Sequence, residues 1–183
     1  MAPVPTPVNR KFSKKSTKSN AEALYTRIVR QSRNPVFFDE YGVADTIDGR
    51  FDMIILHVFL VLRRFKVEGK PAEKLGQFVF DTMFMNMDSS LREMGVGDLS
   101  VGKRIKKMAA AFYGRVDAYE EPLIDGDRAA LSAAVARNLF RGEAVKDGVT
   151  EAMSDYMLAT WSHLSDQPLE RFHLGLVDFG EAV

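Results

Sequence analysis

The chain has 183 residues, 46% of them hydrophobic, with 25 basic and 25 acidic residues in balance. That is enough for one domain with its own core, and the balanced charge argues against a molecule built throughout as a polyanion binder. There is no cysteine, which excludes disulfides, thiolate metal sites and cysteine nucleophiles. No signal-type apolar run opens the chain, and no segment reaches the about 20 apolar residues of a membrane span.

Met1–Asn20 lacks acidic residues and carries Arg10, Lys11, Lys14, Lys15 and Lys18 behind three prolines. Its composition predicts a disordered basic arm over residues 1–19, with affinity for anionic lipid headgroups or RNA phosphates. The first helix is expected from Asn20 to about Ser32 on the stripe Leu24, Ile28, Tyr25 and Val29, stopped by Asn34-Pro35. Phe37, Phe38 and Tyr41 follow in a short segment that plugs the core edge.

The run from Phe51 to Phe65, FDMIILHVFLVLRRF, is apolar on nearly every side. Such a helix is buried all round, so a central helix is expected over about 48–66. Asp45 or Asp48 would cap it, and Arg63, Arg64 and Lys66 would face its own negative end. Pro71 opens a third helix running to Glu93 or Met94, with Leu75, Val79, Met83, Met87 and Leu91 four apart. After a glycine-bearing turn, a helix over Leu99–Tyr119 sets Val101, Ile105, Met108, Phe112, Val116 and Tyr119 on one face and Lys103, Lys106 and Lys107 on the other. Glu120, Glu121 and Pro122 are expected to end it. Two more helices are expected over Arg128–Arg141 and Glu143–Leu164, the second broken near Asp147-Gly148, with one last turn at Pro168–Phe172. The pattern is all-α: a single-domain bundle of about seven helices spanning 20–175, then a short acidic tail over 176–183.

Motifs for chemistry are tested and fail. Gly97–Arg104, GDLSVGKR, has the spacing of a phosphate loop but neither the Ser or Thr after the lysine nor a preceding strand. His57, His163 and His173 lack metal spacing, and His57 reads as a hydrogen-bonded core residue. Asp125 and Asp127 begin a calcium loop that Ala129 ends. No enzyme, cofactor, metal or small-molecule substrate is expected. Met83, Met85, Met87 and Met94 crowd one helix; Met85 lies off the core stripe and is the candidate for an exposed apolar contact.

The segments DGRFDMIILHVFLVLRR at Asp48–Arg64 and FDTMFMNMDSSLREMGVGDLSVGKRIKKMAAAFYGR at Phe80–Arg115, with Ala118-Tyr119 beyond, resemble the ubiquinol–cytochrome c chaperone family over about Arg30–Gly142. The resemblance implies an assembly factor for the respiratory cytochrome bc complex. Its client would be newly made cytochrome b. Further partners would be a second assembly factor and the ribosome or an anionic membrane surface. It implies a bacterial-type member, cytoplasmic and peripheral at the inner membrane (in the matrix, were it mitochondrial). Lys103, Lys106 and Lys107 would approach an anionic surface, Asp88, Arg92, Glu93 and Asp98 would supply polar contacts at the adjoining turn, and Tyr113 and Arg115 would rim a client groove. The alternative is a peripheral protein that binds lipid or RNA through its arm and lysine face and has no client.

Overall fold

The computed structural model describes residues 14–181. Among them it has eight helices and no strand: α1 (Lys14–Ser32), α2 (Val36–Asp39), α3 (Ile47–Glu68), α4 (Lys70–Glu93), α5 (Asp98–Asp125), α6 (Arg128–Asn138), α7 (Val149–Asp166) and α8 (Leu169–His173). The all-α fold is as the sequence pattern predicts.

Helix α3 is the axis. Every residue from Phe51 to Val61 is buried, because α1, α4, α5 and α7 all pack on it. Its N-cap is Thr46, not Asp45 or Asp48; the Thr46 hydroxyl accepts from Gly49 N at 3.1 Å. Asp45 instead pairs with Arg50. Arg64 pairs with Glu68 in the last turn of its own helix and reaches across to α7. Its Nε and Nη2 donate to the carbonyls of Leu164 and Gln167, at 3.0 and 3.1 Å. The buried cation therefore satisfies the exposed carbonyls at the C-terminus of α7.

Three boundaries differ from expectation, the first two because a buried contact outweighs local chain chemistry. Helix α1 starts at Lys14, since Thr17 and Ala21 extend its buried stripe backwards. Lys15 and Lys18 are therefore exposed helical residues, while Arg10 and Lys11 lie outside the described residues. Helix α5 runs through Pro122 to Asp125, because Leu123 is buried, and it stops at Gly126 in the left-handed region (φ 67°). The expected helix over Glu143–Leu164 begins only at Val149.

The segment after residue 175 is not a free tail. Val177 and Phe179 are core residues. The Gln167 side chain clamps the backbone between them, donating to Asp178 O at 2.6 Å and accepting from Asp178 N at 3.0 Å.

Candidate functional site

Two buried polar clusters are structural. His57, wholly buried in α3, hydrogen-bonds Met53 O through Nδ1 at 2.8 Å and Tyr156 Oη through Nε2 at 2.7 Å. A carbonyl only accepts, so Nδ1 carries the proton; Nε2 then accepts from the tyrosine, which accepts from Gln31. Burial lowers the His57 pKa from 6.5 to about 4. The folded state resists protonation, so this group's stability is whole above pH 6.5 and is lost as pH falls through 4. Across that window the loss is on the order of 3 kcal/mol. Unfolding free energies from urea titrations of the parent and His57→Phe, compared between pH 7 and pH 4, should converge by that amount.

The second cluster overturns one expected site residue. Arg115 does not rim a groove: its Nη2 lies 2.6 Å from Asp52 Oδ1 and 3.3 Å from Asn138 O, and its side chain is 14% exposed. Asp52, 2% exposed, also meets Arg141 at 3.3 Å. Burial pushes the Asp52 carboxyl up to about 6, against the pull of the two arginines. Tyr113 and Arg115 stand two residues apart, about 200° around the helix, which is why one faces out and the other in.

The remaining expected residues gather on the α4–α5 hairpin. Arg92 Nε pairs with Asp88 at 2.6 Å, and Arg92 Nη1 pairs with Asp98, so one guanidinium braces the end of α4 to the start of α5. Glu93 accepts from Ser89. Met85 is 64% exposed. Lys103, Lys106 and Lys107 are exposed on α5.

Sequence reasoning missed a groove over the second half of α3. One hollow of about 120 Å³ lies between α3 and α5, lined by Phe59, Leu62, Phe112, Tyr113 and Val116, with Arg63, Lys66 and Glu120 at its rim. A second, of about 370 Å³, lies between α3 and α4, bounded by Leu62, Phe65, Lys66, Gly69, Lys70, Glu73 and Gly76. Leu62 and Lys66 line both, so the hollows adjoin on one face of α3 as a two-part groove. The rings of Phe80, Phe112 and Tyr113, 5.4–6.1 Å apart, pack α4 against α5 beside the smaller hollow. Glu120 is held by Lys66 at 2.6 Å, and Arg63 Nε approaches it at 3.4 Å without the alignment for a hydrogen bond. The Arg63 guanidinium lies over the Trp161 ring. Only Tyr113 of the expected client residues lines this groove. The charged residues after Leu62 were the available signal: Leu62 and Arg63 are the first breaks in the buried run of α3, and Lys66 is its first exposed residue.

The outer face of α5 is bare. A Cβ added at Gly102 or Gly114 would meet nothing within 4 Å. Gly→Ala at either site should therefore stabilise the fold by up to about 1 kcal/mol, read as a raised urea midpoint.

These features define an all-helical protein with an open apolar groove beside a cationic helix face. Among the described residues no group of side chains could hold a metal ion, and no helix is long and apolar enough to cross a membrane. Residues 39–179 match the ubiquinol-cytochrome C chaperone family, and the chain belongs to it. The match extends past Gly142 to include Val177 and Phe179, consistent with their burial. Ubiquinol-cytochrome-c reductase complex assembly factor 1 of Xenopus laevis is 26% identical over 147 residues, covering 80% of this chain and 73% of that one. The Homo sapiens factor of the same name is 27% identical over 147 residues. The chain spans about half the length of the human and mouse proteins, 49% and 52%. The crystal structure of the Cbp3 homolog from Brucella abortus aligns with a TM-score of 0.82 at 34% identity, covering 92% of each chain.

Proposed function

We propose that this protein is a non-catalytic assembly factor for ubiquinol–cytochrome c reductase, and that its client is newly made cytochrome b. The relatives' role in assembling that complex supports the first part. The groove supports the second. Cytochrome b is a bundle of apolar helices, and a helix-in-groove contact needs an apolar floor between two walls. Leu62, Phe112 and Val116 supply the floor and one wall; Lys70 and the Lys66–Glu120 pair offer polar contacts at the rim to a docked helix. Its work would lie beside the membrane that receives the complex, with Tyr113 in the groove and Met85 as an outlying apolar contact.

Val116→Arg tests this, because it places a charge in the open hollow and leaves the core of α3 untouched. The variant should keep its helical circular dichroism, lose co-purification of cytochrome b and lower the spectroscopic level of assembled reductase. Parental levels of both would refute the groove as the client site.

A further inference from the structure

We infer that the tip of the α4–α5 hairpin is a docking surface for an anionic lipid bilayer. Leu99, in the first turn of α5, is 93% exposed, and Met94 on the turn before it is 49% exposed. A bare leucine means little alone; its neighbours give it meaning. Lys103, Arg104, Lys106 and Lys107 follow within five residues, all exposed. None takes part in an ion pair among the described residues.

At 100° per residue, Leu99, Lys103, Lys106 and Lys107 fall on one face of α5. The acids closest in sequence are largely answered. Arg92 engages both Asp88 and Asp98, leaving Glu93 as the carboxylate without a cation. The same brace holds the end of α4 to the start of α5 at the tip. A protruding apolar side chain behind which cations gather is the form of a peripheral bilayer contact: the leucine passes the headgroups and the lysines meet their phosphates. Nucleic acid would engage the cations, but single strands call for aromatic stacking beside them, and the residue offered here is aliphatic. The inference stands apart from the client reading, and its test contains no client.

The full chain is mixed with vesicles of phosphatidylcholine alone, or with one-third phosphatidylglycerol, and co-sedimentation is measured at rising salt. Binding is expected to the anionic vesicles only, weakening steeply with salt. Lys103→Gln, Lys106→Gln and Lys107→Gln together should weaken it roughly 100-fold at low salt, about fivefold per lysine. Leu99→Ser should weaken it about tenfold or more. Leu99→Trp should add emission that shifts to the blue on anionic vesicles and not on neutral ones. All these side chains are exposed, so unchanged circular dichroism keeps the comparison valid. Parental binding by the triple variant overturns the inference, whichever other segment carries it. So does binding to RNA without binding to vesicles, or emission from L99W that vesicles leave unshifted.

Discussion

Asp52→Ala is expected to cost about 3–5 kcal/mol of folding stability, because it strands a buried guanidinium. Asp52 is 2% exposed and sits in α3 between Arg115 of α5 and Arg141 beyond α6. Arg141 is half exposed and can return to water; Arg115 cannot, and its Nε already lacks a partner. The carboxylate thus joins three parts of the chain through one buried point. Asp52→Leu combined with Arg115→Met removes both charges and fills the space, and should recover most of the loss, since apolar replacement of a whole buried pair is often neutral. Urea denaturation of the two variants decides it. Equal losses in both would show that shape, not an unpaired charge, sets the cost.

Gly49→Ala is expected to cost about 2–4 kcal/mol, combining overpacking with loss of a helix cap. A Cβ at position 49 would sit 2.0 Å from the carbonyl oxygen of Ala44, closer than any real contact. That carbonyl accepts from Thr46 N at 2.8 Å, and Thr46 caps α3 through Gly49 N. The loop cannot retreat freely, because Val43 just before it is buried. The added methyl must therefore push the cap off the first turn of the central helix. A fall in thermal midpoint should accompany the loss, and Thr46→Ala alone should reproduce only about 1 kcal/mol of it. A Gly49→Ala variant as stable as the parent would mean that the loop yields.

Much of the fold was legible because apolar spacing is local. The four-residue rhythm of Leu75, Val79, Met83, Met87 and Leu91 defines the buried side of α4, and all five are buried. The uninterrupted run after Phe51 marks the axis for the same reason. Features governed by distant partners were not legible. Arg115 looks like a surface residue beside Tyr113 until Asp52, 63 positions away, is brought against it. Val177 and Phe179 flank an aspartate in a short acidic stretch, and only Gln167 and His57 across the bundle show why they are held in. Pro122 signals a helix end by its missing N–H, yet the burial of Leu123 carries α5 one turn further. The groove was hidden for a related reason. Its hollows lie between α3 and α5 and between α3 and α4, so it depends on how three helices pack rather than on any one helix's pattern.

Site-specific cross-linking in respiring cells tests the central claim most directly. A photoreactive side chain placed at Val116 or Leu62 should cross-link to cytochrome b while reductase is being assembled, and one at the exposed Glu143, outside the groove, should not. Assembly that proceeds normally with no cross-link from either groove position would contradict the account.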